Sequence, residues 1–148
     1  MTFRLFALAC LAFATAVPGL AETDSTQPHV SVEMIGADST LQPGRPVTVG
    51  FHFKIDRGWH LYWQNPGDSG LAPEIIWDLP PGFTAGPVLW PTPQRLALPS
   101  LVDYGYRNDL LLMVPIQVPA DAHPGAVIDL SAMVRWLVCD EICIPGRV

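Results

Sequence analysis

Residues 47–55 read VTVGFHFKI, and this stretch decides the class of fold. Its apolar side chains occupy every second position and alternate with Thr48, Gly50, His52 and Lys54. A period of two places the apolar side chains of an extended chain on one face, as in a half-buried β-strand. The same alternation recurs in residues 30–34, 110–118 and 128–138. The sequence therefore predicts strands that share one apolar core.

Proline and glycine punctuate the chain between these stretches. Sixteen Pro and twelve Gly occur in 148 residues, and no segment has helical periodicity, which excludes a helical bundle. Residues 42–46, QPGRP, supply turn chemistry, so the runs on either side are predicted to be neighbouring antiparallel strands. Shorter strands are predicted at residues 60–63 and 74–77, and a weaker one at 88–90.

Six or seven short strands separated by Pro/Gly turns predict an all-β fold, an immunoglobulin-like antiparallel β-sandwich. A hydrophobic fraction of 49% with 15% charged residues is sufficient for one sizeable core. Residues 22–28 are expected to form a flexible lead-in. Residues 90–106 are expected to form a long irregular loop, because Pro91, Pro93 and Pro99 oppose strand pairing.

The charge of the chain excludes nucleic acid as a partner. The formal net charge is −6, and Lys54 is the single lysine. Binding to a phosphate backbone requires clustered Lys and Arg side chains, and the sequence contains no basic run.

The N-terminus has the organisation of a secretory signal peptide. An apolar run at residues 5–17 follows a basic residue and is followed by small residues that end at Ala21. A run of thirteen residues is too short to span a bilayer, for which about 20 are needed. Cleavage after Ala21 removes residues 1–21, including Cys10, and leaves residues 22–148 as one domain. Only two cysteines then remain, in a compartment where disulfides persist.

These two cysteines, Cys139 and Cys143, follow the last predicted strand. A separation of four residues in a helical turn or tight loop permits a disulfide. The closed loop of five residues would stabilise the fold by only about 2 kcal/mol. A short, exposed bridge is also the kind that another protein's thiolate can attack. The spacing therefore favours redox exchange over a structural role.

Two alternatives remain open at this point. Two thiolates suit Cu(I), so Cys139 and Cys143 are also compatible with a periplasmic copper-binding or copper-tolerance module. A purely structural β-sandwich interaction domain is the other alternative, in which the cysteines are incidental. His60 is a candidate acid–base group near the cysteines or a metal ligand, although a single histidine at a strand start is more often packed in the core.

Four stretches together resemble a known family. They are GWHLYWQNPGDSG at residues 58–70, IIWDLPPGFTAGPVLWPTP at 75–93, DYGY at 103–106 and RWLVCDEICIP at 135–145. The combination is similar to the N-terminal periplasmic domain of the thiol:disulfide interchange protein DsbD family, in particular its copper-sensitivity-suppressor, ScsB-like branch. The likeness covers roughly residues 29–146.

The resemblance implies a function for the domain. Such a domain takes electrons from a membrane-embedded donor domain and passes them to oxidised periplasmic thiol–disulfide proteins, as a component of a protein-disulfide reductase. Cys139 and Cys143 correspond to the catalytic redox pair, which needs no further cofactor. Tyr104 and Tyr106 follow the proline-rich segment and are predicted to shield the pair as part of a cap.

The sequence departs from the family pattern in two respects. The C-x-x-x-C spacing of Cys139 and Cys143 is shorter than in the better-known branch and fits the copper-suppressor branch. Family domains also continue with a further strand, membrane helices and a thioredoxin-like domain, whereas this sequence stops at Val148. The sandwich is therefore expected to lack its last edge strand, either as a stand-alone domain or as a fragment of a membrane-tethered protein.

Overall fold

A computed structural model describes residues 26–36, 40–98, 100–123 and 125–148. These residues form eleven β-strands and no helix, which confirms the all-β class. The strands are β1 (Thr26–Gln27), β2 (Val30–Gly36), β3 (Pro46–Ile55), β4 (Leu61–Gly67), β5 (Glu74–Asp78), β6 (Thr84–Ala85), β7 (Gln94–Leu98), β8 (Leu101–Tyr106), β9 (Asp109–Gln117), β10 (Ser131–Cys139) and β11 (Cys143–Arg147). Accordingly, the described ranges contain no helix that is long and apolar enough to cross a membrane. The predicted signal peptide lies outside them.

Two layers of sheet enclose the main core. One layer is a five-stranded antiparallel sheet in the order β1-β2-β3-β9-β6. The other contains the sheets β11-β10-β5 and β4-β8-β7, which are linked by an antiparallel bridge between His60 and Cys139. Phe51 of β3 meets Trp77 of β5 edge to face across the core, with 5.4 Å between ring centroids. The predicted immunoglobulin-like β-sandwich is therefore correct.

Most of the alternating residues occupy the places that their period predicts, but Met34 is 46% exposed and residues 128–130 precede β10. Every apolar residue of the VTVGFHFKI alternation is buried, and β3 pairs with β2 as the predicted antiparallel neighbour. In β9 the even-numbered apolar residues face the core, whereas Leu111 and Met113 of the opposite face are about two-fifths exposed. Each fully buried aliphatic side chain contributes about 1.5–3 kcal/mol. Burial of one face thus fixes the register of the sheet.

The prediction of an irregular loop over residues 90–106 is wrong. This segment contains β7 and β8, which form an antiparallel hairpin that closes at the Leu98–Leu101 pair. Pro91 and Pro93 precede β7 and therefore remove no donor from its ladder. Position 99 lies outside the described residues. Pro91 and Pro93 therefore precede a strand, β7, in a segment where the sequence predicted that prolines would prevent one.

Two further expectations need correction. The lead-in expected at residues 22–28 contains β1, whose Gln27 pairs with Val30 of β2. The weak strand predicted at residues 88–90 is reduced to one bridge, between Leu89 and Met113. Both segments are too short for an alternation to be recognised in the sequence.

The strand β11 was not anticipated, because it is short and contains both Pro145 and Gly146. Within the described ranges it pairs with β10 alone, at the edge of its sheet, and proline is tolerated on an edge strand. Gly146 lies opposite Trp136, and a Cβ at this position would overlap the Trp136 indole. The glycine therefore lets β11 lie against a strand that carries a large aromatic side chain.

Candidate functional site

The cysteine pair closes the hairpin between β10 and β11. Cys139 and Cys143 are cross-strand partners and are joined by a disulfide, with 4.1 Å between their Cα atoms. The main chain of Cys139 is engaged on its other side: its N–H donates to the His60 carbonyl (3.0 Å), and the His60 N–H donates to the Cys139 carbonyl (2.9 Å). The two cysteines therefore form a non-hydrogen-bonded pair, the kind in which facing Cα atoms approach to about 4.5 Å. The strand register brings the sulfurs together.

The two cysteines occupy opposite environments. Cys139 is 1% exposed and packs in a small cluster with Tyr62, Leu96 and the partly buried Leu137. Cys143 is exposed at the start of β11. It follows Ile142, whose side chain is 64% exposed. An incoming protein can thus reach Cys143, whereas Cys139 is shielded from solvent.

The cover over Cys139 comes from two strands of the neighbouring sheet. Tyr62 lies on β4 and is 2% exposed, and Leu96 lies on β7 and is 1% exposed. A Cβ at Gly70 would overlap the Tyr62 ring. A Cβ at Gly105 would overlap the Leu61 carbonyl oxygen of β4 and would also crowd a methyl group of Leu96. Gly70 of the NPGDSG motif therefore makes room for the Tyr62 ring, and Gly105 of the DYGY motif lets β8 lie close to the backbone of β4 and beside Leu96.

A buried carboxylate anchors this cover. Asp103 of β8 is fully buried and accepts hydrogen bonds from the Ser69 N–H (2.9 Å) and the Ser69 hydroxyl. The Asp68 carboxylate in turn accepts from the Val102 N–H (2.8 Å). Hydrogen bonds to charged acceptors are the stronger kind, of about 1.5–3 kcal/mol each. They fasten the turn that holds Gly70 beneath the Tyr62 ring.

His60 lies beside the buried cysteine. It is 1% exposed, its ring meets that of Tyr62 edge to face at 5.0 Å, and its Nε2 atom has no hydrogen-bond partner within the described part of the chain. Burial lowers the pKa of His60 from its usual 6.5, and Arg107 lowers it further, against the opposing effects of Asp103 and Asp140. A lowered pKa keeps the imidazole neutral at neutral pH.

The predicted cap tyrosines both lie on β8. Tyr104 is half-buried and meets Trp63 edge to face, with 6.4 Å between ring centroids. Tyr106 is 5% exposed within the main core, and its hydroxyl donates to the Pro91 carbonyl (2.8 Å). Burial raises the pKa of Tyr106 to about 12. Their shielding role stays a prediction, and the residues that pack on Cys139 are Tyr62 and Leu96.

Sequence reasoning missed these covering residues. Leu96 falls in the segment that was expected to be a loop, and Tyr62 belongs to a strand that was predicted without a role. The burial of Asp103 also had no signal in the sequence, since acidic residues are seldom fully buried. A usable signal lay in the DYGY motif, where a glycine between two tyrosines in a strand marks a close approach of another chain segment.

The described residues hold no group of three or more His, Cys, Asp or Glu side chains placed to bind a metal ion. Cys139 and Cys143 are the soft donors on which the copper interpretation depends, and here their sulfurs are bonded to each other. What the arrangement offers chemically is therefore a disulfide with one accessible sulfur.

A β-sandwich with a disulfide across an edge hairpin, one cysteine buried and one exposed, defines a thiol–disulfide exchange domain. Comparison with known families gives the same class. The family model of the thiol:disulfide interchange protein DsbD, N-terminal, matches residues 29–148. The chain belongs to this family.

Among solved structures, the chain is similar to the crystal structure of the N-terminal periplasmic domain of ScsB from Proteus mirabilis. The TM-score is 0.63 at 21% sequence identity, over 82% of this chain and 45% of that one. The chain thus spans less than half of the ScsB chain, and a likeness at this identity supports the fold alone. No curated protein matches the sequence significantly.

Proposed function

We propose that the domain is a periplasmic carrier of reducing equivalents, which takes electrons from a membrane-embedded partner and passes them to oxidised periplasmic proteins. The observation that carries this proposal is the unequal exposure of the two bonded cysteines. A bridge that served stability would be best protected if both sulfurs were buried. This one presents Cys143 to solvent and keeps Cys139 covered.

The geometry supports the following order of events when the domain is reduced. A thiolate of the electron donor attacks the Cys143 sulfur, and the Cys139 sulfur leaves as a thiolate and takes up a proton. A second donor thiolate then attacks the donor's own sulfur in the mixed disulfide and releases Cys143. The donor leaves oxidised, and the domain has gained two electrons and two protons.

The reverse steps deliver the electrons. The Cys143 thiolate attacks a substrate disulfide and forms a mixed disulfide, and one substrate sulfur leaves. Cys139 then attacks the Cys143 sulfur, which restores the internal disulfide and releases the substrate in its reduced form. Because Cys139 is covered, it can react only with Cys143, which directs the second step to completion.

Single-cysteine variants exported to the periplasm test this proposal. We expect Cys139→Ser, which keeps the exposed thiol, to accumulate mixed disulfides with envelope proteins. These adducts should be visible on non-reducing gels and disappear on reduction. Cys143→Ser keeps only the covered thiol and should trap few partners or none. The adducts can be identified by mass spectrometry.

The double variant Cys139→Ser/Cys143→Ser is the matched control and should trap nothing. Absence of adducts from the Cys139→Ser variant, although it folds and is exported, would contradict an exchange function. Equal trapping by the two single variants would contradict the assignment of Cys143 as the sulfur that meets the partner.

A further inference from the structure

The His60 imidazole next to Cys139 has a ring nitrogen without a hydrogen-bond partner in the described structure. A buried polar atom without a hydrogen-bond partner costs about 1–3 kcal/mol, so native proteins rarely leave one. The His60 Nε2 atom is such an exception within the described residues. The described structure contains the oxidised form, in which the Cys139 sulfur carries no proton.

The strand register places the two side chains together. His60 and Cys139 are directly paired in an antiparallel bridge, with both main-chain hydrogen bonds formed. Residues paired in this way project their side chains from the same face of the sheet, with Cβ atoms about 5 Å apart. Tyr62, two residues along from His60, lies on this face as well and packs against both of them. His60 and Cys139 therefore lie side by side on one covered face of the sheet.

Reduction changes what the Cys139 sulfur offers to the side chains on this face. Opening the bridge converts its sulfur to a thiol, which has one hydrogen to donate. A neutral imidazole with its proton on Nδ1 has an acceptor at Nε2. The partner that Nε2 lacks in the oxidised form is thus created when the domain is reduced.

We propose that His60 accepts the proton of the Cys139 thiol when Cys139 attacks the mixed disulfide at Cys143. This inference rests on the proposed exchange function. In the step, the Cys139 proton moves to His60 Nε2 and a bond forms between the sulfurs of Cys139 and Cys143. The bond from Cys143 to the partner sulfur breaks, and the partner leaves as a thiolate that carries the electron pair.

The charges around His60 fit an imidazole that is neutral before the reaction and becomes charged only while it holds the thiol proton. Arg107 follows β8 and disfavours the imidazolium, as burial does. Asp103 on β8 and Asp140 in the hairpin loop favour it. Tyr62 on β4 meets the His60 ring edge to face, and burial raises the pKa of Tyr62, so that its hydroxyl carries no charge at neutral pH. The two carboxylates can therefore stabilise the imidazolium that forms when the thiol proton arrives.

Oxidation of the reduced domain by glutathione disulfide separates this step from the one before it. Samples quenched with acid and analysed by mass spectrometry report the glutathionylated domain and the internal disulfide separately. We expect His60→Gln to leave glutathionylation of Cys143 unchanged. Resolution by Cys139 at neutral pH should slow by about tenfold or more, as for the loss of a general base.

The pH profile distinguishes proton transfer from mere packing. In the unsubstituted domain, resolution should be nearly flat at neutral pH and fall only as pH drops through the lowered pKa of His60, below 6.5. In His60→Gln it should rise by about tenfold per pH unit, as the thiolate fraction of an unassisted thiol does. The same profile in both proteins would overturn the proposal.

His123→Gln is the matched control, because His123 is exposed in the segment between β9 and β10. Its resolution rate and profile should equal those of the unsubstituted domain. If His60→Gln does not fold cooperatively, the unsubstituted profile decides. A rate that rises by about tenfold per unit from about pH 5.5 to about pH 8 would show an unassisted thiol and overturn the proposal. Because the probe is glutathione disulfide, such a failure is independent of whether protein partners are trapped in cells.

Discussion

At the scale of single residues, the two cysteines differ in accessibility although they are four positions apart. Cys139 ends β10 beneath Tyr62 and Leu96, and Cys143 begins β11 at an exposed position. A thiolate must align with the sulfur that it attacks, so exposure decides which sulfur exchanges with a partner. The assignment of roles follows from the pairing of strands and from the side chains above them.

This difference predicts unequal alkylation of the reduced domain. Brief treatment with iodoacetamide under native conditions should modify Cys143 faster than Cys139, by about tenfold or more, because access limits the covered thiol. Peptide mass spectrometry with a second, isotopically labelled reagent after denaturation gives both rates. If the two cysteines were alkylated at equal rates in the native state, as they should be in urea, the cover would not protect Cys139.

At the scale of structural elements, the β7–β8 hairpin and β4 together shield the site. Leu96 of β7 reaches Cys139, while Asp103 of β8 holds the Ser69 turn in place. The hairpin is built by five cross-strand pairs, so its covering side chain is held by main-chain hydrogen bonds and not by a loop.

Truncation of the covering side chain tests this role. Leu96→Ala should expose the Cys139 side of the disulfide and accelerate its reduction by dithiothreitol, and should lower the free energy of unfolding by about 2–5 kcal/mol. Reduction can be followed by the shift in retention time on reversed-phase chromatography, and stability by urea melts.

Leu101→Ala is the matched control in the same hairpin, since Leu101 is 40% exposed. Its effect on stability should lie within about 0.5 kcal/mol, as for most surface substitutions, with no change in the reduction rate. If the two variants were reduced at the same rate, Leu96 would have no part in shielding the bridge.

At the scale of the whole molecule, the disulfide lies at the margin of a sandwich that is stabilised elsewhere. The main core is enclosed between the two layers, and Cys139 belongs to a separate small cluster. The hairpin that the bridge closes is also held by strand pairing of β10 with β11 and with β5. Opening the bridge therefore removes little of what maintains the fold.

Urea melts of the oxidised and reduced domain test this separation. We expect cooperative unfolding of both forms, with the oxidised form more stable by about 2 kcal/mol or less, because the closed loop has only five residues. The Cys139→Ser/Cys143→Ser variant should behave like the reduced form. Loss of cooperative unfolding on reduction would show that the fold depends on the disulfide. It would contradict a carrier that is reversibly reduced.

The amino-acid sequence by itself determined the class of fold and the pair of cysteines that forms the disulfide. Alternation in the VTVGFHFKI stretch specifies half-buried strands, because a period of two separates apolar from polar side chains whatever the rest of the chain does. The spacing of Cys139 and Cys143 permits a local bridge for an equally local reason. Both signals are carried by residues close together along the chain.

Tertiary structure alone decided what surrounds the pair. Leu96 reaches Cys139 from 43 positions away along the chain, and His60 from 79 positions away, through strand pairing that no local pattern specifies. The β7–β8 hairpin was missed because the prolines at its borders oppose strands in isolation, whereas pairing with β4 stabilises them in the fold. Burial of Cys139 and exposure of Cys143, on which the chemistry depends, are properties of these long-range contacts.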